Sequence, residues 1–315
     1  MKNLIFAAID IGSYNCRLTI VKKFKDNFKI IHNFSYGTNL ISNLSFNNEF
    51  TEKNIEKTLK CLKKFSEKLL KFKVDDYRCI ATEACRQVIN PDFFIEKVKK
   101  ETGISVEVIS SYEEAKLSLK SCEKYFKKIK NKGIIFDIGG GSTELTFFDV
   151  EKKIFNSKSI SYGVINLSEK EDIYGKEFVT KQLKDHFNFF KNSLLQFLDF
   201  EFVSIGSCST VTTLCAIHKK LNFFDLKKIE GHQMNKNQLL DSINLIKSLQ
   251  IRDLKKMSCV GSRYKLLLNG IVILKIILDI FPINKVIASQ NGLREGMLRD
   301  LLLAHEKDLV KKKKY

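Results

Sequence analysis

A strand-like run that ends in Asp-Ile-Gly occurs twice in this chain, about 127 residues apart, and constrains the fold more than any other feature. The first copy is Ala7–Ser13 and the second is Ile134–Glu144. An apolar run of this length is typical of a buried strand. The glycines that follow let the backbone turn sharply and present its N–H groups to an anion. The sequence therefore predicts two copies of one phosphate-binding turn.

The elements around the two turns repeat as well. Three short strands open each half, and alternating helices and strands follow, with the break near residue 130. This order predicts an α/β protein of two similar domains, residues 1–128 and 129–315, that face each other across a phosphate-binding cleft. A final helix over about residues 293–309 would pack back on the first domain. Ligands of such sheets bind beyond the carboxyl ends of the strands, where both turns fall.

The composition indicates an anionic ligand but does not choose one. The formal net charge is +18, and most of it comes from Lys spread along the whole chain. A field of this size favours polyphosphate, nucleotides, nucleic acid or acidic lipid as partners, although a compositional preference for Lys explains it equally well. We expect no specific nucleic-acid binding, because the sequence has no helix-turn-helix, RNA-binding or zinc motif.

Cysteine usage and the apolar segments favour a cytoplasmic protein that does not bind membranes. The chain has eight Cys and no C-x-x-C spacing, which is typical of reduced intracellular proteins rather than of disulfide or zinc frameworks. The apolar run at the N-terminus is broken by Asp10, so we do not expect a signal peptide. The long apolar stretch from Leu266 to Ile283 contains Lys275 and Asp279, which interrupt it too much for a membrane span.

The second turn offers the larger set of ligating groups. Three consecutive glycines forgo side-chain packing and cost backbone entropy, so we expect a functional reason for them; the alternative is a tight hairpin and nothing more. Asp137 and Glu144 flank the turn and place two carboxylates near each other, where a metal or its bound water would sit. The groups that would meet phosphate oxygens are Gly139, Gly140, Gly141, Ser142 and Thr143.

Two further strand ends carry residues suited to catalysis or anion binding. Glu113 and Glu114 begin a predicted helix directly after a strand. One carboxylate at a helix start is usually a partner of the helix dipole, but with two, one can cap the helix while the other reaches the cleft. Arg86 follows another strand by four residues, and it is either a bidentate phosphate ligand or an ordinary surface arginine.

Two later turns leave similar alternatives. Ser207 and Thr210 lie between a strand and a helix, where their hydroxyls could meet an anion at the helix N-terminus. Arg294 opens the last helix and either reaches a ligand or pairs with Glu295. The sequence contains no Ser/His/Asp arrangement and no His/Cys metal cluster that would compete with the glycine turns as the site.

In this order, the motifs resemble the exopolyphosphatase / guanosine pentaphosphate phosphatase (Ppx/GppA) family of the actin, sugar-kinase and Hsp70 ATPase superfamily. The resemblance covers nearly the whole chain and fits the short, two-domain members. It implies two similar actin-like (ribonuclease H-like) domains. The matching segments are Ala8–Ser13, Ala81–Arg86, Val106–Ala115, Asp137–Glu144, Ser161–Val164, Gly206–Leu214 and Asn291–Gly296.

The resemblance implies a hydrolase that cleaves terminal phosphoanhydride bonds with Mg²⁺ or another divalent cation. By this likeness Glu114 would activate the attacking water, and Asp10, Asp137 and Glu144 would hold the metal. In-line attack on a phosphoryl group needs charge neutralisation and a positioned water more than covalent chemistry. The phosphate-binding residues would be Gly12, Ser13, Arg86, Gly139, Gly140, Gly141, Ser142, Thr143, Ser207 and Thr210.

Two positions depart from the family pattern. Tyr14 stands where the family usually has Asn, and its bulk would narrow or reshape the site. Ser209 stands where the family usually has Gly. Its side chain would hinder close approach of phosphate to the backbone at the third turn, which contains Ser207 and Thr210. Neither change removes the catalytic glutamate or the metal carboxylates.

The leading interpretation is an exopolyphosphatase that releases orthophosphate from the ends of inorganic polyphosphate. The first alternative is removal of the 5′-phosphate of guanosine pentaphosphate, giving the tetraphosphate of the stringent response, which needs a base-recognition pocket that the sequence does not reveal. A sensor that binds polyphosphate or alarmone without turnover is a second alternative. A kinase of the same superfamily is disfavoured by the Glu-Glu-Ala element. The resemblance also allows a homodimer.

Overall fold

The chain divides into two compact units. The computed structural model describes residues 4–312 except 26, 43–47, 90, 127–131, 153 and 195–202. Unit 1 comprises residues 1–121 and 293–315, and unit 2 comprises residues 122–292. The predicted domain boundary at 128/129 lies outside the described residues.

Unit 1 is built on a five-stranded mixed sheet with the order β3-β2-β1-β4-β5. β1, β2 and β3 form an antiparallel meander, whereas β4 runs parallel to β1 and β5 parallel to β4. The first glycine turn is the β1–β2 connection. The strands are β1 (Ile5–Ile11), β2 (Asn15–Phe24), β3 (Asn27–Gly37), β4 (Asp76–Ala81) and β5 (Glu107–Val108).

Within the described residues of unit 1, five helices accompany this sheet. The first begins where the Thr51 hydroxyl accepts a hydrogen bond from the N–H of Asn54 (3.3 Å), which satisfies an otherwise unpaired amide at the helix start. The last packs on β1, with Met297 and Leu298 in the same apolar cluster as Phe6. The helices are Glu52–Lys71, Glu83–Gln87, Pro91–Thr102, Ser111–Phe126, which continues past residue 121 into unit 2, and Leu293–Lys312.

Unit 2 repeats the design around a six-stranded sheet with the order β10-β11-β9-β6-β7-β8. β6, β7 and β8 form a second antiparallel meander, β9 runs parallel to β6, and β11 runs parallel to β9. The second glycine turn is the β6–β7 connection. The strands are β6 (Lys132–Ile138), β7 (Thr143–Asp149), β8 (Ile154–Ile160), β9 (Val203–Gly206), β10 (Gln233–Asn235) and β11 (Lys285–Ala288).

The helices of unit 2 bury one large apolar core. The long apolar stretch identified in the sequence forms the helix Tyr264–Ile280, which packs in this core through Ile271 and Leu274. None of the described helices combines the length and apolar character needed to cross a bilayer. The helical segments are Asn166–Tyr174, Lys176–Ser193, Ser209–His218, Leu226–Ile229, Lys236–Ser248, Ile251–Lys256, a short 3₁₀ turn Gly261–Arg263, and Tyr264–Ile280.

The predicted α/β class and the repeated meander are confirmed. Sequence reasoning missed the helix Asn166–Tyr174, the helix Ile251–Lys256 and the strand β10. The first of these has little amphipathic pattern, and the other two are too short to show a period, so only packing onto the rest of unit 2 defines them.

Candidate functional site

The two glycine turns are closed by the same hydrogen bond. In unit 1 the N–H of Gly12 donates to the carbonyl of Asn15 (3.0 Å), and in unit 2 the N–H of Gly139 donates to the carbonyl of Ser142 (2.9 Å). A Cβ atom on either glycine would lie 3.2 Å from the accepting oxygen. Each turn is therefore tight enough to disfavour a side chain at its first position, which explains why both Asp-Ile-Gly motifs end in glycine.

A second segment fixes the carbonyl groups of the unit 2 turn. In a trans peptide the C=O and the following N–H point in opposite directions. Because three successive carbonyls point toward residues 164–166, the amides of residues 140–142 point together to the other side, where they form a concavity suited to an anion. The bonds run from Val164 N to Gly139 O (2.9 Å), from Ile165 N to Gly140 O (2.8 Å) and from Asn166 Nδ2 to Gly141 O (2.9 Å).

We call residues 161–166 the support turn. Its Gly163 lies so close to the glycine turn that a Cβ atom there would be 2.4 Å from the carbonyl oxygen of Gly140. The buried amide of Asn166 accepts from Gly163 N (2.8 Å) and donates to Ser161 O (3.2 Å) as well as to the glycine turn. Sequence reasoning missed Asn166, because a lone Asn in a weak helical pattern carries no signal of such a contact.

Asp137 and Glu144 occupy directly opposite positions on β6 and β7, so both side chains lie on one face of the sheet. Glu144 is 8% exposed, and its Oε1 accepts hydrogen bonds from the hydroxyls of Ser142 (2.6 Å) and Ser159 (2.9 Å). These bonds orient the carboxylate. Ser159 was not predicted as a site residue. It lies directly opposite Glu144 in the pairing of β7 with β8, so a prediction of that pairing register would have identified it.

This donor set fits a hard divalent cation. Two opposed carboxylates with nearby hydroxyls are the oxygen ligands that Mg²⁺ accepts, and Mg²⁺ usually takes its remaining ligands from water and substrate phosphates. Within the part of the chain that the structure describes, no group of three or more His, Cys, Asp or Glu side chains comes together as a metal site. A cation held by these two carboxylates would take its remaining ligands from water or phosphate oxygens.

Thr143, a predicted phosphate ligand, uses its hydroxyl elsewhere. Its Oγ1 donates to the carbonyl of Tyr162 in the support turn (2.7 Å), and the residue is fully buried. The side chain therefore stabilises the turn from behind.

Asp10 in unit 1 has a different environment from Asp137. It lies opposite Arg17 on β2. Burial raises the pKa of Asp10, and the charges of Arg17 and Arg294 partly counteract this. Arg294 donates to the Thr19 hydroxyl (2.7 Å), and burial lowers the pKa of the Arg294 guanidinium. Two arginines of its own unit thus interact with the carboxylate of Asp10, in competition with the predicted metal role.

The first glycine turn is also held from behind. The carbonyl of Tyr14 accepts hydrogen bonds from the amides of Thr38 (2.8 Å) and Asn39 (3.0 Å), and that of Ser13 accepts from Ile41 N (3.5 Å). The segment after β3 therefore plays the part that the support turn plays in unit 2. Tyr14 takes part in these hydrogen bonds through its backbone carbonyl, a group that any residue can supply.

Glu114 and Arg86 form an ion pair in unit 1, with 2.9 Å between Glu114 Oε2 and Arg86 Nη2. Arg86 also binds Glu83 (2.9 Å) and donates to the carbonyl of Ile109 (2.9 Å). Burial lowers the pKa of Arg86, but Glu114 and Glu83 outweigh it, and the net pKa lies above the usual value. The structure therefore brings together two predicted site residues and fixes the orientation of Glu114.

The two adjacent glutamates bind different arginines. Glu113 pairs with Arg78 (2.5 Å), and Arg78 also pairs with Glu107 (2.9 Å). The amide of Glu113 donates to the Ser110 hydroxyl (3.2 Å), which caps the helix. A cap was expected from one of the glutamates; the observed cap is Ser110, and Glu113 anchors the helix start to β4 through Arg78.

The third predicted turn presents its hydroxyls to protein groups. The Ser207 hydroxyl donates to the carbonyl of Asn291 (2.5 Å). The Thr210 side chain lies against the helix Tyr264–Ile280, where a Cβ atom on Gly270 would be 2.1 Å from Thr210 Oγ1. Both side chains therefore pack within unit 2, and a phosphate contact at this turn would come from backbone amides.

The repeated sheets and the glycine turns define an α/β protein of the two-domain, actin-like class. A model of the Ppx/GppA phosphatase family matches residues 19–305. The chain belongs to this family, whose enzymes hydrolyse phosphoanhydride bonds.

Solved structures of family members share the fold. The Aquifex aeolicus Ppx/GppA family member is 30% identical, with a TM-score of 0.79 over 96% of this chain and 99% of that chain. An exopolyphosphatase from Cytophaga hutchinsonii is 21% identical, with a TM-score of 0.82 over 95% of this chain and 98% of that chain; at that identity the likeness concerns the fold alone.

Two curated relatives extend beyond the matched region. A bifunctional 3-dehydroquinate synthase/phosphatase from Fusobacterium nucleatum is 33% identical over an alignment of 310 residues that covers 92% of this chain and 45% of the relative. A guanosine-5′-triphosphate,3′-diphosphate pyrophosphatase from Photobacterium profundum is 30% identical over 141 residues, which are 45% of this chain and 28% of the relative. The chain thus spans less than half the length of each.

Proposed function

We propose that this protein is an exopolyphosphatase that hydrolyses the terminal phosphoanhydride bond of inorganic polyphosphate and releases orthophosphate. One observation carries the proposal: in the β6–β7 hairpin Asp137 and Glu144 lie opposite each other, and the carbonyls of residues 139–141 are held on one side, which turns the amides of residues 140–142 to the other. Phosphoryl transfer depends mainly on positioning and on stabilising charge, and preorganised amides and carboxylates serve both needs.

Unit 2 would bind the phosphates. The amides of Gly140, Gly141 and Ser142 would donate to oxygens of the terminal phosphates, while Asp137 and Glu144 would hold Mg²⁺ or another divalent cation. When bound, that cation would neutralise charge on the phosphates during bond cleavage. Because Ser142 and Ser159 bind one oxygen of Glu144, the other oxygen is oriented by the same contacts. Ser207 and Thr210 would contribute through their turn's backbone.

Unit 1 would supply the base. Glu114 would accept a proton from the attacking water, and the fixed guanidinium of Arg86 would keep the carboxylate in one orientation. Gly12 and Ser13 would bind phosphate through backbone amides in the manner of the second turn. A direct phosphate contact by Arg86, and a metal contact by Asp10, are further parts of the proposal.

The choice of polyphosphate rests on charge. A long polyanion gains most from a protein whose formal net charge is +18, through steering and counterion release. One observation favours a second candidate, hydrolysis of guanosine pentaphosphate: a relative that is 30% identical over 141 residues is named a guanosine-5′-triphosphate,3′-diphosphate pyrophosphatase. A third reading, a sensor without turnover, is disfavoured by the presence of Glu114, Asp137 and Glu144 together.

The cysteines support a cytoplasmic location. All eight are free and buried, and burial raises the pKa of Cys85 and of Cys208 to about 12, which keeps both thiols protonated and unreactive. Cysteines that stay free are typical of a reducing compartment.

The test is orthophosphate release by the purified protein with Mg²⁺, offered long-chain polyphosphate and guanosine pentaphosphate separately. Glu114→Gln is the test variant and Glu113→Gln the matched control, since each removes one carboxylate from the same helix turn. We expect release from polyphosphate, lost in Glu114→Gln and largely kept in Glu113→Gln. Release from the nucleotide alone would establish the second candidate, and binding of either compound without release would establish the sensor.

A further inference from the structure

Glu230 is the acceptor at the centre of a polar cluster in unit 2 that the proposed reaction does not use. Its side chain is 20% exposed. One oxygen, Oε1, accepts hydrogen bonds from the Tyr125 hydroxyl, from Lys124 Nζ (3.2 Å) and from the Ser289 hydroxyl (3.0 Å). The other oxygen accepts from the backbone N–H of Gln290 (2.7 Å). A carboxyl group has two acceptor oxygens, so one side chain holds all four donors.

Two of these bonds fix the start of segment 289–292, which joins β11 to the last helix. Ser289 is fully buried, and while it donates to Glu230, its Oγ accepts the N–H of Asn291 (2.9 Å). At the other end, the carbonyl of Asn291 accepts the Ser207 hydroxyl (2.5 Å). The segment is thus held between Glu230 and Ser207.

Segment 289–292 lies beside the carboxylate of Asp137. A Cβ atom built on Gly292 would be 4.0 Å from Asp137 Oδ2 and 3.2 Å from Ser207 Oγ. A shift of the segment by the length of one bond would therefore change the space available to the Asp137 side chain. Glycine leaves room for that carboxylate, but the position of the glycine is set by the bonds of residues 289–291.

We propose that Glu230 is a positioning residue for cation binding: through Ser289 and Gln290 it holds segment 289–292 against Asp137 and so fixes that carboxylate. The inference rests on the cation role proposed for Asp137. Groups that orient a metal-binding carboxylate typically change metal affinity 10- to 100-fold when removed. Glu230 acts at a distance and does not contact substrate.

The test measures cation binding without turnover. Mn²⁺ is titrated into the full-length protein, and free Mn²⁺ is followed by electron paramagnetic resonance for wild type, Glu230→Gln and Asp137→Asn. Glu177→Gln, a change of the same kind on an exposed residue of unit 2, is the matched control. We expect about 10-fold weaker Mn²⁺ binding in Glu230→Gln, a larger loss in Asp137→Asn and no change in Glu177→Gln.

The same variants are compared in steady-state kinetics. A positioning role predicts that Glu230→Gln raises the Mg²⁺ concentration for half-maximal rate while kcat at saturating Mg²⁺ changes less. Unchanged Mn²⁺ affinity in folded Glu230→Gln would overturn the inference. If that variant does not fold, as judged by near-ultraviolet circular dichroism, Ser289→Ala removes the buried hydroxyl that joins Glu230 to the segment, and the same comparison decides. A protein that binds Mn²⁺ more weakly in Glu230→Gln yet hydrolyses neither substrate would refute the proposed function alone.

Discussion

The guanidinium of Arg86 lies 2.9 Å from Oε2 of Glu114, and the same guanidinium is held by Glu83 and by the carbonyl of Ile109. The arginine is thus fixed by groups other than the glutamate that it orients. A proposed catalytic carboxylate therefore has a rigid cationic partner within its own unit. This relationship supports a positioning role of Arg86 toward Glu114, beside the phosphate contact that the family resemblance implies.

The two roles of Arg86 predict different kinetics. If it mainly orients Glu114, Arg86→Ala lowers kcat by about 100-fold, the scale of general-base catalysis, with little change in KM for polyphosphate. Arg86→Lys keeps the charge but loses the fork geometry, so we expect an intermediate rate. A rise in KM with unchanged kcat would assign Arg86 to substrate binding instead. Arg252→Ala, on a side chain that is 74% exposed, controls for the loss of one positive charge.

Removing the Ser159 hydroxyl tests whether the groups that orient Glu144 affect the proposed cation site. Ser159→Ala removes one of the two hydroxyls that orient Glu144, so we expect the Mg²⁺ concentration for half-maximal rate to rise by about 10-fold. Ser157→Ala is the matched control, because Ser157 lies opposite Thr146 on the same pair of strands. Equal Mg²⁺ dependence in the two variants would mean that Ser159 does not orient a metal ligand.

A methyl group on Gly163 tests the support turn. Gly163→Ala would place Cβ at 2.4 Å from the Gly140 carbonyl oxygen, so the two turns must separate. We expect a loss of about 1–3 kcal/mol in the free energy of unfolding, together with weaker binding of polyphosphate because the amides of residues 140–142 shift.

Gly37→Ala provides the comparison, since its added Cβ would meet its nearest neighbour at an ordinary 3.7 Å. Denaturant unfolding gives the stability, and binding is measured by calorimetry with polyphosphate. A stable Gly163→Ala protein with wild-type binding would show that the support turn does not set the amide geometry.

Because Asp10 is buried, we expect the free energy of unfolding to depend on pH. Its pKa is raised in the folded protein, chiefly by burial and despite Arg17 and Arg294, so the folded state binds the proton more tightly than the unfolded state does. The free energy of unfolding from this group is therefore largest below pH 3.8, the unfolded pKa, and falls as pH rises through the folded pKa.

Asp10→Asn removes this titration. We expect the variant to melt at a higher temperature than wild type at pH 7, with the difference shrinking as the pH falls toward 4. Differential scanning calorimetry over this range measures it. A variant that is less stable than wild type at pH 7 would mean that the pairing of Asp10 with its two arginines outweighs the penalty of burial.

The strands and glycine turns of this site can be predicted from the local sequence. The apolar runs before Asp10 and Asp137 have the length and composition of buried strands, and the glycines after them are required by a turn with no space for Cβ. The pairing of Asp137 with Glu144 follows from a tight hairpin, because opposite residues in an antiparallel pair share a face.

The sequence by itself determined the repeated strand–turn design, the α/β class and the two carboxylates that flank the second turn, because strand periodicity and turn chemistry are local properties. Only the tertiary structure decided which partner holds each of these groups in place. Asn166 is hydrogen-bonded to the glycine turn, Ser159 to Glu144 and Glu230 to segment 289–292, and Arg86 forms an ion pair with Glu114. These partners come from other strands and helices. Hydrogen bonds between segments distant in sequence depend on register and packing, which no local pattern encodes.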